Sequence, residues 1–193
     1  MARDPMTPFR RWTLLTSALL VTMAGFSLWS FRTLPARYPI HFDLSGHADR
    51  FAKGGSLEWF LLLGIALIVN ALFFGLATGL RKVDPELMNI PDKKRFLALP
   101  AESKAVVIDH LATMPLVIAF VVDLMMSALY VILNEVAHQR MEPPSAAPVL
   151  TFVLTIAGVV AGGLLRFRQL LAREIAAHDE VTRSRAGATP KRP

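Results

Sequence analysis

Four side chains able to bind a metal ion or move a proton lie close together: His41, Asp43, His47 and Asp49, in the pattern His-x-Asp-x3-His-x-Asp. Imidazole and carboxylate suit zinc or a similar divalent ion. The spacing argues against it. In an extended strand His41 and Asp43 share a face but stand about 7 Å apart, and His47 falls beyond a turn. The bland alternative is a hydrogen-bonded loop in which Asp49 pairs with Arg50 or Lys53. A second residue with chemistry is Asp123, alone in a long apolar run. Elsewhere the sequence has no nucleophile with a base at useful spacing, no glycine-rich phosphate loop and no His-Glu-x-x-His helix. With no cysteine, a disulfide framework, a thiol nucleophile and a thiolate metal site are excluded. No catalytic residue, metal or cofactor is expected, and the rival is a loop metalloenzyme that metal analysis would expose.

These residues must be positioned by a membrane protein. Of 193 residues, 53% are hydrophobic and only 19% charged, a balance unlike that of a soluble domain. Four apolar runs are long enough to cross a bilayer as helices: 12–31, 57–80, 111–133 and 147–165. None alternates with period two as a barrel strand does. The first is longer than a signal-peptide core and lacks a small-residue cleavage site after it, so it is read as a retained signal anchor. Between the spans lie an outer loop, 32–56, and a cytoplasmic loop, 81–110; a basic segment, 166–193, follows, disordered from about residue 182. The net charge of +6 raises nucleic acid as a partner. The distribution removes it: 16 of the 21 lysines and arginines fall on one side of the four spans and 5 on the other. By the positive-inside rule both termini are cytoplasmic.

In the outer loop, Tyr38, Ile40, Phe42 and Leu44 alternate with His41 and Asp43, and Ser45-Gly46 supplies a turn. A strand and turn should press its apolar face on the bundle end and present His41 and Asp43, with Asp49, Arg50 and Lys53 brought near. Counted from the inner ends at 1.5 Å per residue, Asp123 lies about 18 Å deep and Asn70 about 15 Å. Thr22 and Thr155 reach similar depths, so a polar layer could cross the bundle there. A mid-membrane carboxylate costs about 3 kcal/mol on insertion scales and is functional by default. Asp123 is thus either a protonatable relay or a carboxyl hydrogen-bonded to Asn70 or a threonine, and the lack of a partner base favours the second.

Leu34-Pro35, Tyr38-Pro39-Ile40-His41-Phe42-Asp43, Gly46, Ala48-Asp49-Arg50-Phe51 and Lys53, set between two spans, resemble the bacterial membrane "domain of unknown function 1648" family, also found at the N-terminus of SdpI-like immunity proteins. Asn89-Ile90-Pro91-Asp92-Lys93-Lys94 followed by Phe96-Leu97-Ala98 is similar to the Asn-x-Pro-x-Lys segment of stand-alone members, though Arg95-Phe96 stands where those have Tyr-Trp. The resemblance spans roughly residues 12–100. It implies a motif centred on Pro39, His41, Asp43, Gly46, Asp49, Arg50 and Lys53, and a second at Asn89, Pro91 and Lys93. The SdpI-like proteins protect bacteria from a secreted peptide toxin and can hold a repressor at the membrane, but they have six spans, so immunity comes here by analogy alone.

Smaller signals complete the reading. Gly75-x3-Gly79 and Gly158-x3-Gly162 place notches where the second and fourth spans, or two copies of the chain, could pack closely. Asp109 and His110 read as a solvated helix start, Pro115 as a bend or a position near that start. Trp12, Trp29 and Trp59 read as interfacial anchors. Phe167, Leu170, Leu171 and Ile175 recur at helical spacing among arginines, as in a helix lying on the inner membrane surface or a solvated stub. The expectation is an all-α, four-span, multi-pass protein of the bacterial inner membrane, N-in and C-in, with a short strand-turn outer loop. It acts without catalysis in envelope binding, sensing or immunity. Its partners are the bilayer, a protein or peptide at the outer loop, and a cytoplasmic protein or anionic lipid at the basic segments. The alternative is a transporter or proton-coupled component using Asp123.

Overall fold

The structure, a computed structural model, describes residues 7–43, 45–143 and 147–187. Leu44 and residues 1–6, 144–146 and 188–193 lie outside it, and with them Arg3, Lys191 and Arg192 of the charge pattern. The chain forms helix α1 (Pro8–Phe31), strands β1 (Arg37–Phe42) and β2 (Ala48–Lys53), a 3₁₀ turn (Leu57–Phe60), α2 (Leu61–Leu80), a short 3₁₀ turn (Pro85–Leu87), α3 (Lys93–Ala98), α4 (Ala101–Ala137) and α5 (Ala147–Gly187). Four helices are long and apolar enough to cross a membrane. This is a multi-pass helical membrane protein with a small antiparallel sheet between its first two spans.

Local chemistry sets the ends. Thr7 caps α1, its hydroxyl accepting from the Arg10 amide, and Pro8 occupies the first turn, where a missing N–H costs nothing. Ser56 caps the 3₁₀ turn that feeds α2. At α4 the start lies at Ala101, well before residue 111, so Asp109, His110 and Pro115 sit inside a helix and not at its beginning. Asp109 is a half-buried partner of Arg81, 3.3 Å away, in place of a solvated helix start.

Helix α4 is the centre of the bundle, packing against α1, α2 and α5, while α5 rests on α4 and touches α3. Most remaining helix surface faces outward and is apolar: Val21, Ile68, Leu72, Leu150 and Leu154 are all well exposed, as lipid contact requires. Within the chain the notch glycines of α2 and α5 make no close contact. A Cβ added at Gly75, Gly79, Gly158 or Gly162 would meet nothing within 4 Å, whereas one at Gly163 would strike Met114, so the close approach is between α4 and α5 at Gly163.

A second core forms at the end of the bundle where α1 begins. Met88, Ile90, Phe96, Leu99 and Val107 pack with Phe167, Leu171 and Ile175 of α5. The 81–110 segment is therefore folded onto α5, and the apolar stripe expected on the membrane surface or in solvent is covered by protein. That packing holds α5 as far as Ile175, and the helix runs on to Gly187. The Asn89–Lys93 motif builds this unit: Ile90 is buried, Asp92 adopts a left-handed conformation (φ 52°) ahead of α3, and Lys93 donates to the Glu86 carbonyl. Arg95, the departure from the family pattern, pairs with Asp179 on α5.

Candidate functional site

The outer loop is a two-stranded hairpin seated on an aromatic stack. Arg37 pairs with Lys53, Tyr38 with Ala52, Pro39 with Phe51, His41 with Arg50 and Phe42 with Ala48, with irregularities on either side of His41. Tyr38 and Ala52 point inward and are buried, with Ile40 and Phe42 partly covered, so the alternation in β1 is realised. Below them Tyr38, Trp59 and Tyr130 stack edge to face, with ring centroids 5.6 and 5.4 Å apart, geometry that adds about 0.5–1.5 kcal/mol per pair beyond area burial. Trp59 is therefore a core residue and not a lipid anchor: it is 4% exposed, and its indole N–H donates to the Ser27 carbonyl at 3.0 Å. Trp29 stays 58% exposed, as an anchor would.

Tyr130 of α4 locks this platform to α2. Its hydroxyl donates to the Trp59 carbonyl at 2.8 Å and accepts from the Leu63 amide at 3.2 Å. His138, just past α4, faces the Asn134 and Thr33 carbonyls with its two ring nitrogens, each at 2.8 Å, tying that helix end to the loop after α1. At the base of the hairpin, the Gly54 amide donates to Ala36 at 2.8 Å, and a Cβ there would lie 2.6 Å from the Pro35 carbonyl oxygen. Only glycine allows that approach. Burial raises the Tyr38 phenol above its usual pKa.

The four residues of the His-x-Asp-x3-His-x-Asp pattern divide into two pairs. His41 Nδ1 lies 2.5 Å from Asp49 Oδ1 across the strands, and His47 Nδ1 lies 3.6 Å from Asp43 Oδ2 within the turn. Among the described residues no three metal-binding side chains converge. Asp43 is absorbed by the turn, its Oδ1 accepting from the Ser45 and His47 amides at 2.8 and 2.9 Å, while Gly46 takes φ 85°. The His47 amide above all holds the Asp43 carboxyl below its ordinary range, with help from Ser45 and the His47 ring. Asp49 pairs with His41, not with Arg50 or Lys53 as the bland reading had it. Arg50 stands beside His41, but Lys53 lies at the other end, opposite Arg37. Among the described residues neither Arg50 nor Lys53 has an ion-pair partner, and both are exposed.

Beside the hairpin opens a cleft of about 450 Å³, lined by Arg37, Pro39 and Phe51 on one side and by Gln139, Arg140 and Met141 on the other. The Arg37 guanidinium sits 4.3 Å over the Phe51 ring. No local pattern points to this cleft, because its second wall comes from the chain after α4. Of the residues that build the platform, Tyr130 was missed altogether. A tyrosine inside an apolar run, whose hydroxyl needs a partner, was the one available signal.

Within the membrane, Asn70 and Asp123 meet, the amide donating to Asp123 Oδ1 at 2.8 Å. The expected polar layer goes no further, since Thr22 and Thr155 are exposed and bond back to their own helices at Ala18 and Thr151. Asp123 is fully buried and its Oδ2 has no partner among the described residues.

Residues 18–69 match the model of the family described as Domain of unknown function (DUF1648). The matched stretch runs from within α1 through the hairpin into α2, and holds the whole outer-loop motif. No curated protein and no solved structure matches the chain.

Proposed function

We propose that this membrane protein, which carries a DUF1648 domain, is a non-catalytic binding factor of the bacterial inner membrane, with both termini cytoplasmic and the hairpin as its recognition element. One observation carries the reading: the hairpin is fixed on a buried aromatic stack while its polar side, with His41, Asp49, Arg50 and Lys53, is held out to solvent. A rigid element with exposed polar groups beside a cleft suits a protein or peptide partner at low ordering cost. The positive-inside distribution supports the hairpin's placement outside. Immunity against a secreted peptide, by analogy with SdpI-like proteins, is one form such recognition would take. Pro39, His41, Asp43 and Gly46 shape the element, whereas Asp49, Arg50 and Lys53 meet the partner. The basic inner segments and the Asn89–Lys93 motif face the cytoplasm.

The test is replacement of Asp49 or Arg50 by Ala. The His41–Asp49 pair is half exposed, so its loss costs at most about 1 kcal/mol; the variants should insert normally and lose the partner. If they fail to accumulate, the hairpin is structural and the reading falls. A second reading is favoured by the unpartnered Oδ2 of buried Asp123: a transport or proton-coupled component. A pH-dependent flux abolished by Asp123→Asn would support it, and an unchanged phenotype removes it.

A further inference from the structure

At the end of the bundle where α1 begins, a cavity of about 900 Å³ opens between the start of α1, the end of α2, α4 and α5. Arg81, Arg166 and Arg173 line it together with Asp109. Their presence on one wall follows from helix periodicity, since Gly162, Arg166, Gln169 and Arg173 stand at i, i+4, i+7 and i+11 on one face of α5. Arg81 is engaged, 3.3 Å from Asp109 and with its guanidinium 4.4 Å over the Phe9 ring. Arg166 and Arg173 have no ion-pair partner among the described residues and are exposed toward the cavity mouth. With Asp109 matched by Arg81, Arg166 and Arg173 remain as two positive charges without an ion-pair partner among the described residues.

The cavity does not end at its polar part. A groove of about 470 Å³ shares Pro8, His110, Thr113, Gly162 and Arg166 with it. It runs deeper along the bundle between Trp12, Val117, Ile118, Gly158 and Val159. Its floor is open because α5 presents glycine there: a Cβ at Gly158 or Gly162 would meet nothing within 4 Å. The close α4–α5 contact is displaced to Gly163 and Met114. A cationic mouth at the interface therefore continues into an apolar slot of the membrane-spanning region.

From this juxtaposition we infer that the chain holds an anionic phospholipid, its phosphate between Arg166 and Arg173 and one acyl chain in the groove along Gly158 and Gly162. The guanidiniums hold the phosphate through paired hydrogen bonds, and their net positive charge selects a headgroup of net negative charge over a zwitterionic one. Basic pockets between membrane helices are suited to such headgroups. The slot selects a lipid over a free anion. The site is separate from the hairpin, which lies at the other end of the bundle.

Trp12 lines the slot and reports on it. The full chain, carrying Trp29→Phe to remove the exposed indole, is placed in phosphatidylcholine vesicles. Small fractions of phosphatidylglycerol or phosphatidylcholine with brominated acyl chains are then added, and quenching of tryptophan emission is read. The expected result is quenching at about tenfold lower mole fraction for brominated phosphatidylglycerol than for brominated phosphatidylcholine. Arg166→Ala with Arg173→Ala should abolish that preference. Arg168→Ala, on the same helix but outside the cavity, should retain it, as should Arg166→Lys with Arg173→Lys in large part. Gly162→Leu, which fills the slot without meeting another atom at Cβ, should weaken quenching by both lipids. Equal quenching by the two lipids in the parent protein overturns the proposal, as does loss of the preference in Arg168→Ala. If inorganic phosphate at millimolar concentration erases the preference, the mouth takes free anions and the lipid assignment is wrong.

Discussion

Removing one oxygen atom, by Tyr130→Phe, should loosen the whole outer platform. The hydroxyl is buried and makes two hydrogen bonds, to the Trp59 carbonyl and from the Leu63 amide. These two groups stand four residues apart, at the junction of the 3₁₀ turn with α2, so Tyr130 stitches a helix start. Side-chain hydrogen bonds inside membrane proteins average about 0.6 kcal/mol, which sets a floor of about 1 kcal/mol for the pair. Leaving a buried carbonyl or amide unpaired adds to this, since each such group costs about 1–3 kcal/mol. Partial pairing of the two orphaned groups with each other returns some of it, and the working figure is about 2 kcal/mol. For a chain of this length that corresponds to a fall in Tm of roughly 4–8 °C. Phenylalanine keeps the ring and its edge-to-face contact with Trp59, so the change isolates the hydroxyl. The assay is thermal unfolding in detergent followed by tryptophan emission, paired with trypsin cleavage after Arg50 and Lys53. A variant within about 0.5 kcal/mol of the parent protein, with unaltered cleavage, would refute the reasoning.

Three further outcomes follow from the same geometry. Asn70→Leu deprives Asp123 of its one hydrogen-bond donor and should destabilise the bundle by about 1–3 kcal/mol, whereas Asp123→Asn should cost under about 1 kcal/mol because an amide can also bond to Asn70; chemical unfolding in mixed micelles compares them. Asp43 contributes most to the hairpin turn at pH values above the ordinary carboxylate range. Because its folded pKa is depressed, that contribution is lost only as pH falls through the depressed value, below about 4; the protection of the Ser45 and His47 amides, taken as exchange relative to the intrinsic rate at each pH, should fall there and stay constant between pH 5 and 8. Gly54→Ala drives a methyl into the Pro35 carbonyl and should release the hairpin to protease, while Gly158→Ala, facing open space, should leave melting unchanged or raise it.

The spans and the hairpin were legible because each rests on a local pattern. Long uncharged runs specify membrane helices, and Tyr38-x-Ile40-x-Phe42 followed by Ser45-Gly46 specifies a strand and its turn. Strand β2 was harder to see: Ala48-Asp49-Arg50-Phe51-Ala52-Lys53 has little apolar alternation, and it forms by pairing with β1. Contacts distant in sequence were mostly hidden. Trp59 at a span end has the same local signature whether it faces lipid or sits beneath Tyr38. Phe167, Leu171 and Ile175 were visible as a stripe, but the partner that covers them, the 88–107 segment, was not. Depth along a helix was readable for Asn70 and Asp123, which do meet. Azimuth was not, and for that reason Thr22 and Thr155 were grouped with them although they face outward.

The central claim, that the hairpin recognises a partner outside the membrane, is tested most directly by photocrosslinking in living cells. The probe belongs at His47, whose side chain is 82% exposed at the hairpin tip. A probe at Lys94, in the inner segment, serves as the comparison. A discrete adduct from His47 is expected that is absent from Lys94 and disappears when Asp49→Ala or Arg50→Ala is added, with the amount of protein in the membrane unchanged. No adduct from His47, the same adduct from Lys94, or an adduct that survives both substitutions would contradict it.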